Sequence, residues 1–162
     1  MSSASKSDTT GRAPGESDKE RVDRELRELL EEERVLLPGV ELLLGFLIIL
    51  PFSAAQEITG LELALYLASL FATSAGLALL VTPTIYHRIH FRDVDKEGLV
   101  FLANRLMIGA SVLVALGIAL AVYLVVESLV GGALAALLAA VNAAIFALLW
   151  FGLPLLRGPR AG

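Results

Sequence analysis

Four apolar stretches, residues 35–55, 61–85, 106–126 and 133–156, run through this chain, and each is long enough to cross a bilayer as a helix. The hydrocarbon layer is about 30 Å thick and a helix rises about 1.5 Å per residue, so roughly 20 residues make one crossing. Only Glu41 and Glu62 are charged within those bounds. Glu62 stands at a helix start, where Thr59-x-x-Glu62 has the spacing of a capping box. Helices are required because an unpaired amide or carbonyl in lipid costs several kcal/mol, and the alternating pattern of a membrane barrel is absent. A link of a few residues after the first stretch and Gly131-Gly132 after the third force antiparallel neighbours. The expected fold is all-α: an integral membrane four-helix bundle of two antiparallel hairpins, preceded by an amphipathic interfacial helix.

Composition agrees. The chain is 56% apolar and 19% charged, with a mean hydropathy of +0.74. A small globule has too little interior to hide that surplus, which argues against a soluble enzyme, a secreted disulfide scaffold and a disordered chain. Without cysteine, disulfides, zinc–thiolate sites and thiol nucleophiles are excluded.

Ahead of the apolar stretches, residues 1–16 are small and polar and read as a disordered tail. No apolar signal segment or lipidation motif is expected from either end. Residues 17–37 read as an amphipathic helix: Val22, Leu26, Leu29, Leu30 and Leu37 share one face, and Ser17 with Glu20 has capping-box spacing. Glu20–Arg24, Asp23–Arg27 and Arg27–Glu31 are one turn apart on the polar side. This helix is expected on the membrane surface or against a partner, ended or bent by Pro38. The four-helix domain then spans 38–157, and residues 158–162 form a second tail.

Every Lys and Arg falls before the first span, between spans two and three, or after span four. With an even number of spans these segments share one side, and cation asymmetry makes that side the cytoplasm of an inner (plasma) membrane. Both termini are expected there. The cations are interleaved with equally many carboxylates, which argues against nucleic acid. Arg88, Arg92 and Arg157 are candidates for contact with anionic lipid headgroups. Tyr86 and Trp150 fall near the cytoplasmic boundary, and Phe52, Tyr66 and Tyr123 near the outer one.

Four polar groups in or beside the spans are candidate sites. Glu41 is a carboxylate in the first span, read as a boundary residue or structural ion pair, with a proton or cation site as the alternative. Arg105 enters the third span from the same side, so a Glu41–Arg105 pair is expected. Asn104 and the deeper Asn142 are read as interhelical hydrogen-bonding groups, with a ligand or polar path as the alternative. A third helix running from near Asp95 to Glu127 would be about 50 Å long, so its first turns project beyond the hydrocarbon. His87 and His90 stand three apart, a weak metal signal without a third ligand at firm spacing. Small-residue ladders, Gly132–Ala136–Ala140–Ala144 and Ala135–Ala139–Ala143–Ala147, suit close helix packing within the bundle or against a second copy. Pro38, Pro83 and Pro154 are read as bending or ending helices near the cytoplasmic side. No nucleotide, metalloprotease or serine-hydrolase motif occurs, so no catalytic residue, cofactor or metal is expected.

The blocks Glu33-Arg34-Val35-x-Leu37-Pro38-Gly39, Pro51-Phe52, Tyr86-His87-Arg88-x-x-Phe91-Arg92, Ala103-Asn104-Arg105 and Trp150-x-x-x-Pro154-Leu155 resemble the bacterial family catalogued as domain of unknown function 6328. That family consists of small four-span proteins common in actinobacteria, and the resemblance covers about residues 20–157. It implies an inner-membrane location and supplies no activity. The expected role is a non-enzymatic structural, accessory or regulatory membrane component, its partners the lipid bilayer and a second copy or another membrane protein. The alternative is a small oligomeric transporter or channel using Glu41, Arg105 and Asn142.

Overall fold

The computed structural model describes residues 17–53, 60–89 and 96–156. They form α1 (Asp18–Ser53), α2 (Gly60–Ile89), α3 (Lys96–Val130) and α4 (Gly132–Phe146), which continues through a π-helical stretch (Ala147–Gly152) into a closing turn, α5 (Leu153–Leu156). Four helices, the fourth taken as Gly132–Leu156, are apolar and long enough to cross a membrane. The described residues form an all-helical bundle of four spans. The terminal segments 1–16 and 157–162, the Thr59 cap, His90, Arg92 and Arg157 lie outside the described residues.

The capping box forms at the start of α1. Glu20 accepts from the Ser17 backbone N–H at 2.9 Å, and the Glu20 N–H donates back to Ser17 Oγ at 3.3 Å. On the polar face Arg24 pairs with Glu28 at 3.2 Å and Arg21 with Glu25 at 3.8 Å. Pro38 does not end this helix, which runs on to Ser53. The carbonyl left without a donor belongs to Arg34, on the exposed side at the edge of the apolar stretch, where solvent can satisfy it.

Seams of buried side chains with a seven-residue repeat hold the bundle. On α1 they are Leu26, Glu33, Val40 and Leu47. On α2, Tyr66, Ser69, Thr73, Gly76, Leu80 and Pro83 alternate in steps of three and four, the repeat that keeps one stripe turned toward a neighbouring helix. Val40, Leu80, Ala110 and Val114 meet as the apolar core, with Leu37, Leu77 and Met107 around them. The α2–α3 approach is close enough to require glycine. A Cβ at Gly76 would stand 2.8 Å from Val114 Cγ2, and one at Gly117 would collide with Thr73 Oγ1. Ser69 Oγ, fully buried beside it, donates to the Gly117 carbonyl at 2.8 Å.

Among the described helices α1, α2 and α3 pack on one another, whereas α4 packs on α3 alone. The α3–α4 turn is a single residue, Gly131, whose φ of 95° favours glycine. Ala135 and Ala139 of one small-residue ladder turn toward the bundle, while Gly132, Ala136, Ala140 and Ala144 of the other are exposed. Tyr66 stands near the start of α2 and faces the bundle. It is buried, and its hydroxyl donates to the Leu47 carbonyl at 2.9 Å, clamping α2 to α1. Pro154 is accommodated without ending the fourth span. Proline cannot donate to the carbonyl four residues back, and the helix widens just before it, with the Leu153 N–H reaching the Leu148 carbonyl.

Candidate functional site

Two helices outrun the hydrocarbon. Residues 18–34 of α1 extend about 25 Å beyond the first apolar stretch, and residues 96–105 of α3 about 15 Å before the third. Because α2 returns the chain between them, these two ends project from the same end of the bundle. They pack as a pair: Val22 and Leu26 on α1 and Leu99 and Ala103 on α3 are all buried. Of the amphipathic face read from residues 17–37, Val22 and Leu26 are buried where α1 and α3 pack together, and Leu29, Leu30 and Leu37 are half-buried. The start of α3, expected only to project beyond the hydrocarbon, packs against α1.

A groove of about 460 Å³ opens between the two projecting segments. Val22 and Leu29 from α1 and Val100 and Phe101 from α3 give it an apolar floor. Glu25, Glu28 and Glu32 form one wall, with Glu97 opposite and Arg21 and Asn104 at the margins. The three wall glutamates stand at steps of three and four, a carboxylate ladder about 10 Å long.

At the base of the projection lies Glu33, only 3% exposed. Thr84 Oγ1 donates to its carboxylate, 2.8 Å from Oε1 and 2.7 Å from Oε2. Glu33 precedes the first apolar stretch by two positions, and burial pushes its carboxyl above the ordinary carboxylate range, with the Thr84 hydrogen bond offsetting part of the rise. The signal for this residue is present in the sequence, because Glu33 falls seven positions after Leu26 on the apolar stripe.

The sequence candidates are not gathered into one site. Glu41, one position past the buried Val40 and so about 100° around the helix, is exposed. The expected Glu41–Arg105 pair does not form. Arg105 instead lies over the Phe101 ring of its own helix, 4.3 Å from the centroid, and Glu41 has no ion-pair partner among the described residues. Asn104 is exposed at the groove margin. Asn142 is half-buried, its Nδ2 shielded and without a hydrogen-bond partner among the described residues, so the expected interhelical bond is not made. α1 and α4 do not touch, so Glu41 and Asn142 share no route within one chain. Arg88 is exposed in the last turn of α2 and His87 is half-buried. Among the described residues no cluster of three or more histidines and carboxylates is placed to hold a metal.

These features define a multi-pass helical membrane protein with a two-helix projection. The chain belongs to the family of unknown function DUF6328, which matches residues 15–154. The match begins ahead of α1, so the projecting half of that helix is part of the family domain and not an appendage. No curated protein and no solved structure matches the chain.

Proposed function

We propose that this protein is a non-enzymatic accessory or regulatory component of the inner (plasma) membrane, with both termini in the cytoplasm, and that the paired projections of α1 and α3 are its working surface. The observation that carries this reading is the burial of Val22 and Leu26 together with Leu99 and Ala103. It makes the projection a packed element able to present a fixed surface to a partner protein. The exclusive placement of Lys and Arg before span one, between spans two and three and after span four supports the orientation. Interleaved carboxylates and arginines on that side argue against nucleic acid as the partner. Exposed Arg88 suits contact with lipid headgroups at the rim.

Photocrosslinking in native membranes tests the reading. A photoreactive residue replacing Val100, in the groove, is expected to capture a polypeptide, whereas one replacing the exposed Ile108 captures lipid. Proteoliposomes carrying the protein are expected to show no ion flux. A flux abolished by Glu41→Gln in a protein that still folds would replace this reading with transport.

A further inference from the structure

We infer that the groove between α1 and α3 receives a basic amphipathic helix of a partner protein. This deepens the accessory reading and rests on it, since it names the chemistry of what the projection holds.

Both surfaces of such a helix find a counterpart. Val22, Leu29 and Val100, with the Phe101 ring carrying Arg105 on one face, make an apolar floor about two helical turns long, enough to seat one apolar face. The wall glutamates at 25, 28 and 32 repeat in the steps of three and four that lysines or arginines take along one side of a helix. Glu97 supplies a carboxylate from the facing helix. Arg21 engages Glu25 and Arg24 engages Glu28, whereas Glu32 and Glu97 have no ion-pair partner among the described residues. The groove is thus net negative, and its unmatched charge sits on both sides of the floor.

The same features exclude other occupants. An anionic headgroup meets the wrong sign. A single metal ion needs oxygens converging within about 2–2.6 Å of one point, whereas these carboxylates are strung along a helix and partly engaged by arginine. A second copy of this groove would set glutamates against glutamates.

The full-length protein in nanodiscs of zwitterionic phosphatidylcholine provides the test. The probe is a fluorescent peptide of leucine and lysine patterned at helical spacing, beside a twin with glutamate for every lysine, followed by anisotropy at low and high salt. The lysine peptide is expected to bind saturably above empty discs, more weakly as salt rises, while the glutamate twin does not bind. The combined variant Glu28→Gln, Glu32→Gln, Glu97→Gln is expected to weaken binding about tenfold. The charge reversal Glu32→Lys with Glu97→Lys is expected to shift preference toward the glutamate twin, a readout that mere destabilisation cannot mimic. Equal binding of both peptides, or lysine-peptide binding untouched by either set of substitutions, overturns the inference. If Val100 still crosslinks a native partner when that happens, the accessory reading survives without the charge assignment. If the crosslink is also missing, both fall.

Discussion

Thr84 and Glu33, separated by 51 positions, are joined by a hydroxyl that lies 2.7 and 2.8 Å from the two carboxylate oxygens, tying α2 to α1 where both leave the apolar layer. With the Tyr66–Leu47 bond at 2.9 Å near the other end of α2, it clamps these two helices at both ends of their contact. A carboxylate on a buried seam is tolerable because it is hydrogen-bonded and stands at the margin, not within the hydrocarbon.

Removing the donor should therefore cost more than removing the charge. Thr84→Val leaves a buried acceptor unsatisfied and is expected to destabilise by about 1–3 kcal/mol. Glu33→Gln keeps an acceptor for Thr84 and buries no charge, so it should be milder. Thermal unfolding of both variants in detergent checks the order.

The same carboxyl predicts a pH dependence. Its pKa is raised in the folded state, so the folded protein holds a proton that the unfolded chain gives up. That contribution is complete below the unfolded pKa and is lost as pH rises through the raised one. The unfolding temperature should fall as pH rises above the ordinary carboxylate range, with a smaller fall in Glu33→Gln. An identical slope in both proteins would count against the buried assignment.

Gly117 stands where α2 and α3 approach closely. Gly117→Ala drives a methyl group into Thr73 Oγ1 and is expected to cost about 1–3 kcal/mol by overpacking. Adding Thr73→Ala removes the colliding atom and should restore part of the loss. A double-mutant cycle on unfolding temperatures measures that coupling.

The two faces of α4 should respond unequally. Ala135 is fully buried against the bundle, so Ala135→Leu is expected to destabilise by about 1–3 kcal/mol. Ala136 is exposed, and Ala136→Leu should leave the unfolding temperature nearly unchanged.

The spans and their antiparallel order were legible in the sequence because length and hydropathy alone dictate helices in lipid. The start of α1 was legible too, since Ser17 and Glu20 carry their capping chemistry locally. The path through Pro38 was legible only as a choice between ending and bending the helix: which one holds depends on where the orphaned carbonyl lands, and here that of Arg34 falls on the exposed side. The partner of the amphipathic face was hidden for a related reason. Leu99 and Ala103 meet α1 only once α2 has brought α3 back alongside it. Glu33 is hard to single out because it stands outside the apolar stretch, whereas Glu41 interrupts it yet lies about 100° off the seam; the buried acid is marked only by its place on the seven-residue repeat.

The central claim is that α1 and α3 project together from one side of a four-span bundle while the α3–α4 turn lies on the other. The chain has no cysteine, so single introduced thiols report topology directly. Arg24→Cys, Glu97→Cys and Leu129→Cys, each probed with a membrane-impermeant maleimide in spheroplasts and in inverted vesicles, make the measurement. Positions 24 and 97 should label only in inverted vesicles and position 129 only in spheroplasts; positions 24 and 97 labelling from opposite sides, or 24 and 129 from the same side, would contradict the account.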